Sequence, residues 1–247
     1  PGEGALLFEA ALRSSVPRLF EAQPDLGHDI VTMVSPVELI DRGAKVYRTI
    51  QRPGEFVVTL PQSYHGGFSL GFNVGEAVNF FTPDCLPWMR SGVEICRFYR
   101  RQPVFCLTEL LMAVAERIPF HADLTERDAI ILENELTEIC DDESQIRWIV
   151  VRALGGFFDV ADDIGEQGQV CSLCRQWCFL SLLRRADNND VFCLSCVIEN
   201  SELFPSGFLL EDGRKPYQIQ YFEEMATMVR LSKQVARHRA ENLSGEC

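Results

Sequence analysis

The sequence predicts an α+β protein with a strand-rich first third, a helical middle and a small cysteine-rich module toward the C-terminal end. Apolar residues alternate over Phe72–Phe80, helical periodicity extends from about residue 87 to residue 155, and two Cys-x-x-Cys pairs lie between residues 171 and 196. The length of 247 residues suffices for one large or two modest domains. We divide the chain into a strand-rich part at 1–88, a helical part with an acidic linker at 89–168, a cysteine finger at 169–200 and a C-terminal loop and helix at 201–247.

The first third contains two strand-like runs on either side of a turn that carries a histidine. Glu55–Leu60 is rich in β-branched and large apolar residues, and Pro61 ends this run because proline cannot donate to a sheet ladder. His65 follows, with two glycines behind it. Over Phe72–Phe80, apolar side chains alternate with small or polar ones. One face of this second run therefore suits a core, and the other suits the wall of a cavity for a polar ligand.

The remaining elements are predicted from periodicity and from proline, glycine and capping residues. Helices are expected over 6–22 with an interruption at Pro17, and over 26–34, 36–43, 87–101, 107–117 and 217–241, and a further strand is expected over 46–51. Thr125 is placed to cap the first of two helices between 125 and 155. The acidic run 141–143 is expected to separate these two helices.

The composition limits the classes of partner. A net charge of −13 argues against direct binding to a nucleic-acid backbone. The same charge is compatible with a basic partner such as a histone tail, although many acidic proteins carry such a charge for solubility alone. No apolar run approaches the ~18 residues that a membrane span needs, and no secretory leader is visible. The chain does not begin with Met, and we expect it to be a fragment.

The ten cysteines, without a secretory leader, favour metal binding over a disulfide framework. A C-x2-C-x18-C-x2-C pattern is formed by Cys171, Cys174, Cys193 and Cys196. Each pair turns tightly enough to direct two thiolates at one ion, and two pairs complete the tetrahedron that zinc prefers. The alternatives are a pair of redox-active dithiols or four thiols that are buried together by chance. Cys178 is expected to pack in the core, because four thiolates already fill a zinc site.

The tract Pro53–Phe80, PGEFVVTLPQSYHGGFSLGFNVGEAVNF, resembles the distal half of the JmjC domain of histone lysine demethylases, in particular the JARID subfamily. The resemblance implies the distal part of a double-stranded β-helix, a jelly-roll or cupin-like fold. It also implies Fe(II)- and 2-oxoglutarate-dependent removal of N-methyl groups from a histone tail, in the nucleus and within chromatin complexes. His65 matches the last of the three iron ligands and is the expected catalytic residue. Ser69, Asn73 and Asn79 match positions at the cofactor pocket, and Ser69 stands where the family usually has Asn.

The other two iron ligands of the family come from an H-x-D/E motif that precedes the distal histidine. Before His65, the only histidine is His28, and its spacing to an acidic residue is wrong. His121 and Asp123 form an H-x-D motif, but they follow His65 in an expected loop, where we interpret them as a surface turn. This chain alone is therefore expected to be inactive. Two hypotheses remain: part of an active demethylase, or a catalytically inactive JmjC-like chromatin-binding scaffold with a zinc finger.

The cysteine pattern resembles the two-zinc finger that follows the JmjC domain in the JARID subfamily, whose ligands are five Cys, one His and two Cys. Cys196 takes the place of the histidine, which is a conservative change for zinc. The family's second site needs four more cysteines, and other residues occupy those positions: Arg185, Asp187, Ser201 and Leu203. The resemblance therefore implies a degenerate finger with one zinc ion rather than two.

Overall fold

A computed structural model of the chain describes residues 4–29, 33–82, 85–118, 125–161, 168–222 and 225–244. The chain forms two compact units, Pro1–Phe81 and Thr82–Cys247. None of the helices in the described part combines the length and the hydrophobicity that a membrane span needs.

The first unit begins with three short helices: α1 (Ala5–Ser15), α2 (Pro17–Ala22) and α3 (Pro36–Asp41). Pro17 stands at the first position of α2, where its missing N–H leaves no intrahelical bond unmade, so the expected interruption is confirmed. The helix expected over 26–34 is reduced to a single 3-10 turn, Leu26–His28, among its described residues. Two small apolar clusters hold the three helices together, and their buried members are Ala11, Leu12, Phe20, Leu26, Leu39 and Ala44.

The three strands expected over 46–51, 55–60 and 72–80 are not formed, and that prediction was wrong for this chain. Residues 42–82 contain turns and extended backbone but no sheet ladder. The apolar side chains that should face a core are instead in solvent: Phe56 is 94% exposed and Phe72 is 101% exposed. A strand needs a neighbour for its N–H and C=O groups and a second layer for its apolar face. No described residue of the chain supplies either, so the double-stranded β-helix is not observed.

The second unit contains the helices α4 (Leu86–Phe98), α5 (Leu107–Arg117), α6 (Glu126–Ala153), α7 (Leu194–Glu199) and α8 (Met225–Ser244). The helix α6 lies at the centre and packs against α4, α5 and α8. The fully buried apolar side chains of this layer include Leu111, Leu132, Leu136, Met228, Leu231 and Val235.

The helix α6 is a single helix of 28 residues, so the expected separation at 141–143 was wrong. Aspartate and glutamate do not break a helix by themselves, and these residues have partners on both sides. Asp142 lies 3.8 Å from Arg90 of α4, and Glu143 lies 2.6 Å from Arg147 one turn further along α6. The capping prediction is confirmed, because the hydroxyl of Thr125 accepts from the N–H of Asp128 at 3.2 Å.

A mixed sheet packs against the C-terminal end of α6. Its strands are β1 (Phe158–Val160), β4 (Ser181–Arg185), β5 (Val191–Phe192) and β6 (Tyr217–Tyr221), in the order β1-β6-β4-β5. The first pair is parallel and the other two pairs are antiparallel. A separate antiparallel hairpin consists of β2 (Gln169–Val170) and β3 (Trp177–Cys178).

The strand β6 corrects the prediction of a closing helix that starts at residue 217. Tyr217 and Ile219 are buried while Gln218 between them is exposed, which is the alternation of a strand. The strand lies between β1 and β4, so both of its edges are paired. Among the described residues, the helix α8 runs over Met225–Ser244. The apolar spacing at the start of the segment fits either structure, and the pairing with β4 decides it.

Candidate metal centre

Four cysteine side chains converge between the β2–β3 hairpin and the start of α7. The sulfur atoms of Cys171, Cys174, Cys193 and Cys196 all lie within 4.8 Å of one another. The distance between the sulfurs of Cys174 and Cys193 is 3.6 Å. A disulfide would require ~2 Å. Zinc–sulfur bonds of ~2.3 Å place the corners of a tetrahedron about 3.8 Å apart, so the group fits a zinc ion.

The backbone brings each pair of cysteines to this place. In the first pair, the N–H of Cys171 donates to the carbonyl of Gln176 at 2.9 Å, and the N–H of Arg175 donates to the carbonyl of Cys171 at 3.0 Å. Arg175 adopts the left-handed conformation, with φ at 63°. In the second pair, Cys193 caps α7, so Cys196 lies on the first turn of that helix. The sulfurs are thus directed inward by local hydrogen bonds.

The four thiols influence one another strongly because three of them are buried and all are within contact distance. Hydrogen bonds from Cys174, Cys193 and Cys196 lower the pKa of Cys171. Hydrogen bonds to Cys171, Cys174 and Cys196 raise the pKa of Cys193. The thiolate of Cys171 is therefore stabilised while that of Cys193 is destabilised, because like charges in one buried site repel each other. A divalent cation removes this conflict and lets all four ionise.

Cys178 lies outside this group of four. Its side chain is 2% exposed and belongs to the core cluster that includes Leu182 and Ile219. Burial, followed by the charges of Cys171 and Cys174, raises the pKa of Cys178. The structure thus gives Cys178 the surroundings of a neutral packing residue.

Contacts to the helical layer surround the segment that carries the four cysteines, and no pattern in the sequence predicts them. The buried side chain of Gln176 donates to the carbonyl of Arg101 at 3.1 Å. The indole N–H of Trp177 donates to the carbonyl of Pro103 at 3.0 Å. Arg97 of α4 donates to both carboxylate oxygens of Glu199 at the end of α7. About 75 to 100 residues separate the partners in the chain, which no spacing rule reaches.

The second group of predicted site residues lies on the extended part of the first unit. His65 is exposed, and its Nδ1 is 3.3 Å from the carbonyl of Ser63. The neighbouring Tyr64 stacks on Phe8 of α1 with a ring separation of 4.4 Å, and its hydroxyl donates to Glu9 at 2.7 Å. These contacts attach the histidine segment to α1.

The expected cofactor positions lie on the same exposed tract as His65, and their role stays a prediction. Ser69, Asn73 and Asn79 are all exposed, and the side-chain amide of Asn73 donates to the carbonyl of Gly71 at 2.9 Å. In the described ranges, the four cysteines are the only group of three or more metal-binding side chains. His121 and Asp123 lie outside the described residues. The described residues therefore complete no iron site, and His65 stands as a single candidate ligand.

The four positions of the family's second zinc site are occupied by a different arrangement. Arg185 and Asp187 form an ion pair at 2.7 Å, with a second hydrogen bond at 3.1 Å from Nε. Ser201 and Leu203 begin and end an exposed 3-10 turn. A guanidinium, a carboxylate, a hydroxyl and an isobutyl group do not make a zinc site. The number of zinc ions stays a prediction.

Comparison with known proteins defines the class. The family model "JmjC domain, hydroxylase" matches residues 1–80. Lysine-specific demethylase JMJ17 of Arabidopsis thaliana is 40% identical over 190 residues, which are 74% of this chain and 15% of that protein. Lysine-specific demethylase 5B of Gallus gallus is 37% identical over 190 residues, which are 73% of this chain and 12% of that protein. Lysine-specific demethylase 5D of Homo sapiens is 37% identical over 201 residues, which are 79% of this chain and 13% of that protein.

The class is thus a JmjC-domain protein, and residues 1–80 are a segment of that domain. More particularly, the relatives that match 73% to 79% of the chain are named lysine-specific demethylases, and the resemblance of the Pro53–Phe80 tract to JmjC proteins of the JARID type is confirmed. The chain spans between 12% and 15% of the length of these three relatives.

Proposed function

We propose that this chain is part of an Fe(II)- and 2-oxoglutarate-dependent demethylase that removes N-methyl groups from lysine in a histone tail. The observation that carries the proposal is the similarity of 73% to 79% of the chain to proteins named lysine-specific demethylases. The chain by itself is inactive in this proposal, because it contributes one iron ligand of three. Iron would supply the oxygen chemistry once the remaining ligands are joined to it.

The contact between Nδ1 of His65 and the carbonyl of Ser63 supports a role of His65 as a metal ligand. A ligating imidazole usually donates its other ring N–H to a carbonyl or carboxylate, which fixes the ring and its tautomer. When Nδ1 donates to the carbonyl of Ser63, Nε2 is left as an acceptor with its lone pair exposed. Ser69, Asn73 and Asn79 are proposed to contact 2-oxoglutarate or substrate when the rest of the domain covers this segment.

The test uses the longer parent protein with a trimethylated histone peptide, Fe(II) and 2-oxoglutarate, and measures formaldehyde. Turnover is expected for the parent and is lost, together with bound iron, in His65→Ala. His28→Ala is the matched control, because it removes an imidazole from the same unit and should leave turnover unchanged. Peptide binding without formaldehyde in the parent would refute the enzyme and support the inactive chromatin-binding scaffold.

We also propose that Cys171, Cys174, Cys193 and Cys196 hold one zinc ion that stabilises the second unit. Structural zinc sites are closed four-ligand sites, and their binding energy becomes folding energy. Metal analysis of the purified chain should give one zinc per chain. A value of two would contradict the degenerate finger. A value of zero with reversible disulfide formation would instead support the dithiol alternative.

The proposed partners are a basic histone tail and chromatin complexes, and the proposed location is the nucleus. The net charge of −13 supports a basic partner over a nucleic-acid backbone. Titration of the parent with the histone peptide and with duplex DNA at equal ionic strength compares the two directly. Tighter binding to DNA than to the peptide would contradict this assignment.

A further inference from the structure

Helix α4 carries two arginines, Arg90 and Arg97, which lie two turns apart and therefore on one face of the helix. Arg90 pairs with acidic side chains of α6, with N–O distances of 3.0 Å to both Glu135 and Glu138. Arg97 takes a different partner, since its Nη2 donates to both carboxylate oxygens of Glu199 at 2.7 Å. Arg90 thus contacts α6 in the helical layer, and Arg97 contacts α7 in the segment that carries the four cysteines.

Arg97 is a positive charge attached to α7, because its partner Glu199 ends that helix while Cys193 and Cys196 stand at its start. Burial opposes its charge, but the hydrogen bond to Glu199 and the charges of Cys193, Glu199 and Cys174 outweigh burial and raise the pKa of Arg97. The side chain is only 23% exposed, so water screens this charge incompletely. Arg97 therefore stays charged at its position on the end of α7.

A zinc ion bound by the four thiolates would be stabilised by a nearby positive charge. Four thiolates and one Zn²⁺ carry a net charge of minus two. Three of the four cysteines are buried, and an uncompensated charge in a buried site is costly. A nearby guanidinium offsets part of this cost without donating a ligand, as outer groups around metal sites do. Glu199 is 59% exposed, so its own charge is better screened than that of Arg97.

The same region of the helical layer is attached to the metal-binding segment at two more points. Gln176 and Trp177, which directly follow the first cysteine pair, donate to the carbonyls of Arg101 and Pro103. These carbonyls belong to the connection between α4 and α5, which follows the last turn of α4. The connection between α4 and α5 is therefore hydrogen-bonded to Gln176 and Trp177, and a metal ion bound by the neighbouring cysteines would hold these two residues in place.

We propose that Arg97 is a positioning residue of the zinc centre, which offsets the residual negative charge of the loaded site and couples zinc occupancy to docking of the α4–α5 connection. This inference rests on the zinc centre proposed above. Glu199 orients the guanidinium in this arrangement, but its own charge works against the loaded site. Arg97 and Glu199 should therefore have unequal effects on zinc binding, although they form one ion pair.

The test measures the zinc dissociation constant of the full chain by competition with a chromophoric chelator. Arg97→Met should weaken zinc binding by about 10- to 100-fold, the range observed for outer-shell groups of metal sites. Arg97→Lys keeps the charge and should remain within about threefold of the wild-type chain. Arg90→Met is the matched control, because it removes an ion-paired arginine from the same helix face and should leave the dissociation constant unchanged.

Glu199→Gln separates charge compensation from a purely structural ion pair. Loss of this carboxylate should leave zinc binding unchanged or tighter, whereas a structural pair predicts equal weakening in Glu199→Gln and Arg97→Met. Hydrogen exchange of residues 99–106 should quicken when zinc is removed. Equal dissociation constants for Arg97→Met and Arg90→Met, or weakening in Glu199→Gln equal to that in Arg97→Met, would overturn the inference. A wild-type chain without zinc would refute the zinc centre itself, which is a distinguishable result.

Discussion

The contact between α6 and the sheet yields a quantitative prediction at Arg147. Its Nε donates to Glu143 at 2.6 Å, its Nη2 donates to the carbonyl of Leu180 at 3.1 Å, and its guanidinium stacks on Tyr221 at 4.5 Å. Glu143 also accepts from the hydroxyl of Ser181 at 2.6 Å. The side chains of Arg147 and Glu143 are 14% and 13% exposed. The pair therefore joins α6 to β4 and β6 in a nearly dry environment.

The change Arg147→Met keeps most of the apolar stem and removes the charge. Loss of one partner of a buried ion pair costs about 3–5 kcal/mol, because the other charge is left uncompensated. Since both side chains keep some contact with water, we expect the lower end, about 3 kcal/mol. Adding Glu143→Gln removes the stranded charge and retains an acceptor for Ser181. The double variant should therefore recover at least about 1 kcal/mol.

The assay is urea unfolding of the zinc-loaded chain, followed by circular dichroism and by hydrogen exchange of α6 and β4. Arg152→Met is the matched control, because Arg152 stacks on the exposed Trp148 at 4.6 Å on the same helix and should change the unfolding free energy by less than about 0.5 kcal/mol. A loss below about 1 kcal/mol in Arg147→Met, or no recovery in the double variant, would refute the reasoning.

Three further predictions concern the metal centre and α6. Cys196→His should retain one zinc, with a Co²⁺ spectrum of three thiolates, whereas Cys196→Ala should lose the metal; equal zinc loss in both variants would show that this position does not bind zinc. Cys178→Ala should keep one zinc by metal analysis and should cost about 1 kcal/mol in urea unfolding, so a drop in zinc content would make Cys178 a ligand. Thr125→Ala should cost about 1 kcal/mol and accelerate hydrogen exchange in the first turn of α6; unchanged exchange there would contradict the cap.

Elements that are specified by neighbouring residues were predicted well. Pro17 and Pro36 open helices, and the cap at Thr125 forms because its donor lies three residues away. The pairs at Cys171 and Cys193 likewise turn within a few residues of the chain. The sulfur cluster could be predicted because each half of it is local, and the two halves need only one approach in space.

Elements that depend on distant partners were predicted poorly. Residues 55–60 have the composition of a strand but no ladder, while β6 is a strand because β4 lies beside it. The acidic run 141–143 was expected to end a helix, yet Asp142 and Glu143 have cationic partners that preserve α6.

The sequence by itself determined the JmjC character of the first unit, the four-cysteine pattern and the positions where most helices begin. Only the tertiary structure decided that the tract around His65 forms no sheet ladder, that α6 is continuous, and that Arg97 pairs with Glu199 of α7. The physical reason is the number of residues that separate the interacting partners in the chain. Caps, turns and Cys-x-x-Cys pairs close over three or four residues, whereas sheet ladders and ion pairs between layers close over tens of residues and depend on where the chain returns.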